Sequence, residues 1–382
     1  DKGVIALDAE YGPVIRVRQT EVLVIGGGPA GLSAALEAAS LGCQVTLVDG
    51  DLALGGQLIK QTHKFFGSKV ERAGTRGLKI SEILLKELEN HGDRVKVHIN
   101  CTATGIYKED GVVSCVIGEE EYFRIKPERI VMATGAQERL IPFPNNHLPG
   151  VYGAGAVQTL MNVYGVIPGK RVLMVGAGNI GLIVSYQLIQ AGVEIAGIVE
   201  AMDKVGGYWV HAAKVRRLGV PIFLRHTIKE ALGDRVVTGA LIQEIDDRFQ
   251  PVGREKKIDA DIICMAVGLT PTCELLWQAG CEMIYVPQLC GHVALRDQFM
   301  RTSLPHVWVA GDAAGIEEAT AAMVEGRIAG LDAARSLGKG DKEDLTERLE
   351  DLQKRLGDLR GGEVGQKICQ GLACCSIQGW GA

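Results

Sequence analysis

The chain has 382 residues and 50 glycines, where average usage of about 7% would give roughly 27. Only 12 prolines accompany them and no Gly-X-Y repeat occurs, which excludes collagen and low-complexity disorder. The formal net charge is −5 and there is no long basic run, which argues against nucleic acid or an anionic membrane as the main partner. No apolar stretch reaches the roughly 18 residues that a transmembrane helix needs. The length predicts two domains, or three small ones.

The cysteines are scattered and form no C-x-x-C pair, although the chain has 10 of them. Several lie in apolar strands, as Cys264 does in DIICMAV, which is typical of buried core thiols. Free thiols of this kind fit a reducing compartment, so we expect a cytoplasmic protein.

The first glycine cluster follows a short apolar run, residues 22–25, which indicates a buried parallel strand. A helical pattern comes next, and then a second apolar strand that ends in Asp49. In the motif G-x-G-x-x-G the first glycine permits a tight turn, the second lets the backbone approach a pyrophosphate, and the third allows close helix–strand contact. The helix N-terminus then faces the phosphates, and the acid accepts hydrogen bonds from a ribose. The pattern predicts a cofactor site that includes Gly26, Gly28, Pro29, Ala30, Gly31 and Asp49.

The same pattern returns about 150 residues later, in VLMVGAGNIGL and the strand that ends in Glu200. A second nucleotide-binding fold is therefore expected. An acid at this strand end, with no arginine after it, favours NAD over NADP, because it would repel a 2′-phosphate. Whether this fold binds NAD, ATP or nothing stays open. Its candidate residues are Gly176, Gly178, Asn179, Ile180, Gly181 and Glu200.

Three further apolar strands end in small residues and a glycine: residues 130–136, 262–271 and 307–315. The last continues into Gly311, Asp312 and a segment, residues 313–334, with a helical pattern. An acid at the end of a buried strand must be satisfied by hydrogen bonds. A cofactor hydroxyl would do this for Asp312, and the alternative is a helix N-cap.

These motifs carry a resemblance over roughly residues 20–335. GGGPAG, the strand-end Asp49, GGQ at 55–57, ATGA at 133–136, GAGNIG and VAGDAAG occur in the order found in flavoproteins with two dinucleotide-binding domains, the pyridine nucleotide–disulfide oxidoreductase superfamily. The resemblance implies an α/β fold with two Rossmann-like folds, the NAD-type fold inserted in a discontinuous FAD-type fold. The expected domains are 1–151 with 286–340 for FAD, 152–285 for the second nucleotide, and 341–382 for a C-terminal helix and cysteine-containing tail.

The resemblance also assigns roles to residues. FAD would be bound by the first glycine motif and Asp49, with Asp312 on its ribityl chain or pyrophosphate and the following helix directed at the flavin ring. No acid–base or nucleophile constellation is visible, so the chemistry would be borne by the flavin. Gln57, Lys60 and His63 are candidates for the flavin side, although a solvated basic face is the alternative for the two cations. The remaining cofactor-binding candidates are Gly56, Ala133, Thr134, Gly135 and Gly311.

The departures from the superfamily select a narrower group. The segment after Gly56 has no redox cysteine pair and the second fold has no C-x-x-C, so a thiol–disulfide relay is not expected. The text TGAQERLIPFPNNHLPGVYGAG resembles the FAD-containing alpha-type subunits of heteromeric amine and amino-acid dehydrogenases. Members include the larger flavoprotein chains of sarcosine oxidase, dye-linked proline dehydrogenase, opine oxidase and hydrogen cyanide synthase. Such chains relay electrons from a partner chain that oxidises the amine.

Members of this group often end in a domain that binds a [2Fe–2S] cluster through four cysteines. Here Cys369 and Cys374 resemble the last pair and Cys375 adds a third thiol, but the preceding Cys-x-Cys pair is absent. A thiolate cluster needs four ligands, so no complete cluster or other metal site is expected within this chain. Residues 341–360 carry leucines at helical spacing and predict an amphipathic helix, which covers either a partner chain or the core of the chain itself.

Three functions are compatible with these features. The first is an electron-transferring FAD subunit of a heteromeric amine or amino-acid dehydrogenase, partnered by a second, substrate-oxidising flavoprotein subunit. The second is a self-standing NADH-dependent flavoprotein reductase that passes electrons to a small acceptor or ferredoxin. The third is a flavin-bound scaffold without activity. The substrate and the electron acceptor are not disclosed by the residues.

Overall fold

The computed structural model describes residues 17–65, 68–119 and 121–377. Their contacts divide the chain into two compact units. Unit 1 comprises the described residues of Asp1–Leu58, Ile80–Gly135 and Pro271–Ala382, and unit 2 comprises those of Ile59–Lys79 and Ala136–Thr270. Unit 1 is therefore discontinuous in sequence. Both units mix helices with parallel sheets, which confirms the predicted α/β class.

The first part of unit 1 alternates strands and helices as the sequence pattern predicts. Its elements are β1 (Val17–Ile25), α1 (Pro29–Ser40), β2 (Val45–Val48), α2 (Gly77–Glu89, which begins in the stretch assigned to unit 2), β3 (Val95–His98), β4 (Cys101–Tyr107), β5 (Val112–Ile117) and β6 (Glu121–Met132).

Unit 2 follows in the chain. Its elements are β7 (Ala136–Glu138), β8 (Val151–Gly153), α3 (Ala154–Asn162), β9 (Arg171–Val175), α4 (Asn179–Gln190), β10 (Glu194–Glu200), α5 (Trp209–Arg217), β11 (Ile222–Leu224), β12 (His226–Leu232), β13 (Gly239–Ile245), β14 (Pro251–Asp259), β15 (Ile262–Met265) and β16 (Leu269–Pro271).

The chain then returns to unit 1. The elements there are α6 (Glu274–Ala279), β17 (Met283–Val286), β18 (Gly291–Ala294), β19 (Val307–Val309), α7 (Ala319–Ser336), α8 (Lys342–Leu359) and α9 (Gly362–Cys374).

The main sheet of unit 1 has the strand order β3-β2-β1-β6-β5-β4, and β19 pairs with the end of β6. β1 lies between β2 and β6 and runs parallel to both. Its residues Val22, Leu23, Val24 and Ile25 are buried, as expected for a strand covered on both faces. Because β1, β2, β6 and β19 run the same way, their carboxyl ends meet at one edge of the sheet, where ligands bind in open α/β sheets.

Two helices of unit 1 pack closely because glycine removes the side chain at the contact. A Cβ on Gly326 of α7 would lie 2.1 Å from the carbonyl oxygen of Ala30, and one on Gly330 would lie 2.3 Å from that of Ala34. α7 therefore lies directly against α1. It begins at Ala319 and not at residue 313, because residues 311–314 form a separate 3-10 turn and Glu318 is the N-cap.

The predicted amphipathic helix is α8. Its leucines Leu345, Leu349, Leu352 and Leu356 are buried, and Asp341 caps it by accepting hydrogen bonds from the backbone N–H groups of Glu343 and Asp344. α8 packs against α7. Of the two interpretations left open, the structure favours the one in which the helix covers the core of its own chain.

Unit 2 holds a parallel sheet of order β11-β10-β9-β15-β8 and an antiparallel sheet of order β12-β13-β14. The contact division falls after Gly135 and after Thr270, and it assigns residues 59–79 to unit 2 and the C-terminal helices to unit 1. The domain limits expected at 151/152, 285/286 and 340/341 differ from this division and stay predictions. Among the described residues, no helix combines the length and the apolar character needed to cross a membrane.

Candidate functional site

The turn between β1 and α1 is shaped by contacts inside unit 1. Gly26 has φ +105°, and a Cβ there would lie 2.1 Å from the carbonyl oxygen of Ala133. A Cβ on Gly31 would lie 1.7 Å from the carbonyl oxygen of Gly26. Both positions therefore need glycine for the chain to pass between β1, β6 and α1.

Gly28 is different, because nothing in the protein crowds it. A Cβ on Gly28 would meet only the Cα of Gly56, at 3.9 Å, among the described atoms. Gly28 is the N-cap of α1 and supplies no side-chain cap, so the first-turn N–H groups of the helix are not capped from this position. A glycine at an uncapped helix start, facing open space, fits a phosphate group. We call this space, in front of Gly28 and Pro29, the first cradle.

Gly55 and Gly56 border the first cradle. The N–H of Gly55 donates to the carbonyl of Gly27 at 2.8 Å. A Cβ on Gly56 would lie 2.8 Å from the Cα of Gly28, and its φ of +51° also favours glycine. The GGQ motif thus lies against the glycine turn.

Asp49 lies at the end of β2, where its carboxylate organises the turn. Oδ2 accepts a hydrogen bond from the N–H of Gly27, and Oδ1 accepts one from the N–H of Asp51 at 2.7 Å. The carboxylate is half-buried. Its position beside the glycine turn is the one that a ribose-binding acid takes in this type of fold.

Ala133, Thr134 and Gly135 follow β6. The N–H of Ala133 donates to the carbonyl of Ile25, and the hydroxyl of Thr134 donates to the carbonyl of Thr272 at 2.6 Å. The structure therefore brings the ATGA turn against the end of β1.

Gly311 and Asp312 lie in the 3-10 turn after β19. A Cβ on Gly311 would lie 2.8 Å from the Cβ of Ala30, in the first turn of α1. Asp312 is half-buried, and its Oδ1 accepts a long hydrogen bond from the N–H of Glu317 at 3.4 Å. Burial, with smaller contributions from nearby carboxylates, raises the pKa of Asp312 to about 7. Asp312 is not the N-cap of α7, so the capping alternative is wrong.

Unit 2 repeats the glycine geometry. Gly176 has φ +108°, and a Cβ there would lie 2.2 Å from the carbonyl oxygen of Ala266. A Cβ on Gly181 would lie 2.1 Å from the carbonyl oxygen of Gly176. A Cβ on Gly178 would meet nothing within 4 Å among the described atoms, and α4 has no side-chain cap at this N-cap residue. We call the space in front of Gly178 and Asn179 the second cradle.

Glu200 takes the place in unit 2 that Asp49 takes in unit 1. It accepts hydrogen bonds from the N–H of Ala177 at 2.8 Å and the N–H of Met202 at 3.0 Å. Gly207 lies close to Gly178 and Asn179 and donates to the carbonyl of Ala177 at 3.0 Å. Ile180 is exposed.

The candidates for the flavin side separate between the units. Gln57 is exposed in the 3-10 turn Gly56–Lys60. Lys60 belongs to unit 2, where its carbonyl accepts a hydrogen bond from the side chain of Asn162 at 2.7 Å. His63 also belongs to unit 2, with its ring stacked on Phe65.

His63 has an unusual environment. Its ring meets that of His211 edge-on, with the centroids 6.5 Å apart, and its buried Nδ1 has no hydrogen-bond partner among the described residues. Burial, with smaller contributions from His211 and Lys214, lowers the pKa of His63 to about 4. The imidazole is therefore neutral near pH 7 and is not a second cation beside Lys60.

The cysteines are free thiols throughout, and all 10 of them lie in the described part of the chain. Cys101 and Cys115 hydrogen-bond to each other in the core between β4 and β5, where both are buried, and buried thiols of this kind are inert. Cys369 and Cys374 are exposed on α9, and Cys375 is buried. No cluster of three or more metal-ligating side chains occurs among the described residues.

Four charged residues that the sequence analysis did not select form a buried network behind the Gly311–Asp312 turn. They are Arg296, Glu317, Glu325 and Arg360. The one local signal was Glu325, a single acid inside the apolar run AAMVEGRIAG of α7, because a buried acid requires partners. No sequence signal marks Arg360 as one of those partners.

Curated relatives resemble the chain over most of its length. It is 27% identical over 357 residues to the HcnB subunit of hydrogen cyanide synthase from Pseudomonas protegens, with 88% of this chain and 75% of the relative covered. It is 28% identical over 350 residues to the A-type subunit of opine oxidase from Rhizobium meliloti, covering 88% and 66%. It is 26% identical to the alpha subunit of sarcosine oxidase from a Corynebacterium species, covering 84% of this chain and 33% of that relative.

Solved structures agree on the fold. L-proline dehydrogenase from P. horikoshii matches with a TM-score of 0.68 at 25% identity, covering 89% of this chain and 60% of that chain. Thioredoxin reductase from T. acidophilum matches with a TM-score of 0.68 at 21% identity, covering 84% and 100%. The model of the pyridine nucleotide-disulphide oxidoreductases matches residues 20–326, and the chain belongs to this family of oxidoreductases.

Proposed function

We propose that the chain is the FAD-containing, electron-transferring subunit of a heteromeric amine or amino-acid dehydrogenase that works without a redox disulfide. Family membership implies a bound flavin. The observation that carries the proposal is the first cradle. Gly28 faces open space at an uncapped helix start, although Gly26 and Gly31 beside it are tightly enclosed.

The residues around the first cradle fit FAD in their chemistry. The start of α1 supplies backbone N–H groups and a positive dipole end for the pyrophosphate. Asp49 supplies a carboxylate for a ribose. Asp312, with its pKa raised to about 7, supplies a group that can donate or accept a hydrogen bond near neutral pH. FAD would bring hydride and electron transfer, and the protein would bind, orient and shield it.

The role within a larger enzyme rests on the relatives and on the thiols. The relatives are named as subunits of hydrogen cyanide synthase, opine oxidase and sarcosine oxidase, and the chain spans about a third of the length of the last. The free cysteines include buried pairs and exposed residues of α9, but none lies in the segment after Gly56. Electrons would then enter the flavin from a partner chain and not through a dithiol.

The test is to purify the native complex, identify its chains and cofactors by mass, and titrate it anaerobically with sarcosine, proline and an opine. We expect one FAD per chain and bleaching of the flavin absorbance by one of these amines, but only with the partner chain present. Full bleaching of the isolated chain by an amine would contradict the proposed dependence on a partner.

A self-standing NADH-dependent reductase is the second candidate, and the second cradle favours it. Gly178 is as open as Gly28, and Glu200 repeats the hydrogen bonds of Asp49. If this candidate holds, NADH alone bleaches the flavin of the isolated chain, and Gly178→Ala removes that bleaching. No bleaching by NADH in the wild type would contradict it.

A further inference from the structure

We propose that Arg360, at the end of α8, is a positioning residue of the FAD site, and that through Glu317 and Glu325 it sets how tightly unit 1 binds FAD and how readily the bound flavin accepts electrons. The proposal rests on the proposed function. It assigns a role to the C-terminal helical segment, which lies beyond residues 20–326 matched by the family model.

Arg360 binds two carboxylates at once. Its Nη2 lies 2.7 Å from Oε1 of Glu317 and 2.6 Å from Oε1 of Glu325, and its Nε donates to Oε2 of Glu317 at 3.1 Å. The side chain of Arg360 is 11% exposed, that of Glu317 8% and that of Glu325 3%. The contact is therefore a buried, fork-like ion pair, which is the strong type of charge-assisted hydrogen bond.

Both carboxylates lead to the Gly311–Asp312 turn. Oε2 of Glu325 accepts a hydrogen bond from the N–H of Gly311 at 2.9 Å. The N–H of Glu317 donates to Oδ1 of Asp312 at 3.4 Å. Arg360 thus holds both residues of the turn through one intermediate each, and Gly311 itself lies against Ala30 at the start of α1.

The C-terminal segment also holds the second cation of the network. Arg296 donates from Nη2 to Oε1 of Glu325 at 2.8 Å, and its side chain is buried. The backbone of Arg296 accepts and donates hydrogen bonds in pairing with the chain after α9: its N–H donates to the carbonyl of Cys375, and its carbonyl accepts from the N–H of Ile377, both at 2.9 Å.

The charges of the network are nearly balanced. Glu317, Glu325 and Asp312 can carry three negative charges against the two guanidinium groups of Arg296 and Arg360. The neighbouring guanidinium groups hold the pKa of Glu325 below its usual value in spite of its burial. Removal of one partner of a buried pair leaves an uncompensated charge, which costs far more than the pair contributes. Loss of Arg360 would therefore leave excess negative charge behind the turn.

The test compares Arg360→Gln with Arg360→Lys, and uses Arg355→Gln as the matched control, since Arg355 pairs with a half-exposed Asp351 on the same helix. FAD is titrated into the flavin-free chain by fluorescence, and the reduction potential of the bound flavin is measured. We expect Arg360→Gln to raise the FAD dissociation constant about tenfold or more and to shift the potential negative, because added negative charge disfavours reduction. Arg360→Lys restores most of both values, and Arg355→Gln changes neither.

A second variant keeps the proposal testable if Arg360→Gln folds poorly. Glu317→Gln removes a negative charge from the same network, so we expect its potential to shift in the positive direction. A purely structural tie between α8 and α7 predicts no such reversal. Folded Arg360→Gln and Glu317→Gln proteins with wild-type FAD affinity and potential would overturn the inference. A wild-type chain that binds no FAD would overturn the proposed function and the inference together.

Discussion

At the residue scale, the glycines of the two nucleotide folds meet different demands. Gly26, Gly31, Gly176 and Gly181 are required by backbone atoms of the protein itself, because a Cβ at each would lie within 2.2 Å of a carbonyl oxygen. Gly28 and Gly178 meet no such obstacle. The sequence pattern predicted all six positions, but only the structure separates those that the fold needs from those that leave space for a ligand.

His63 leads to a prediction about pH. Its folded-state pKa, about 4, lies below the 6.5 of an unperturbed histidine, so protonation favours the unfolded chain. The stability from the neutral ring is complete above about pH 6.5 and is lost as the pH falls towards 4. We expect His63→Gln to lose less stability than the wild type between pH 7 and 5, by on the order of 1 kcal/mol, in urea unfolding.

His147→Gln serves as the control, since His147 is exposed in a turn of unit 2. It should follow the wild-type pH dependence. The environment assigned to His63 would be contradicted by a His63→Gln protein whose stability falls with pH as steeply as that of the wild type.

At the element scale, the order of strands and glycine turns was open to prediction, whereas the packing partners were not. β1, α1 and β2 follow from the apolar runs and the glycines between them. The start of α7 was placed too early, because the alanines of residues 313–314 suit a helix but lie in a 3-10 turn held by Glu325. The partner of α8 could not be predicted from its leucines, since an apolar stripe does not identify the surface that covers it.

The contact between α1 and α7 gives a prediction for two helical glycines. Gly326→Ala would place a Cβ 2.1 Å from the carbonyl oxygen of Ala30, so we expect it to destabilise the chain by about 1–3 kcal/mol. Gly357→Ala on α8 would place a Cβ in open space, so we expect stabilisation of about 0.5–1 kcal/mol. Denaturant midpoints measure both. Equal effects of the two substitutions would show that the close packing of α1 and α7 is wrong.

At the scale of the whole molecule, two nucleotide folds with one glycine geometry occur in one chain. The motifs predicted both folds and the discontinuity of the first. Residues 59–79 belong to unit 2, which the sequence did not reveal because their contacts, such as those between Thr62 and Gln187 and between His63 and His211, join positions far apart in the chain. The C-terminal helices pack in unit 1 for the same reason, through Arg360 and the leucines of α8.

The central claim is that FAD binds at the first cradle, and one comparison tests it most directly. Gly28→Ala and Gly178→Ala place the same methyl group in the two cradles, each at little cost to the fold, since a Cβ at Gly28 meets only Gly56 Cα at 3.9 Å and one at Gly178 meets no described atom within 4 Å. The measurement is the FAD released per chain, with the apparent unfolding temperature of the flavin-free protein as the check on folding.

The account predicts about one FAD per wild-type chain and per Gly178→Ala chain, and a dissociation constant raised about tenfold or more in Gly28→Ala. Equal FAD content in folded Gly28→Ala and wild-type proteins, or loss of FAD from Gly178→Ala alone, would contradict it.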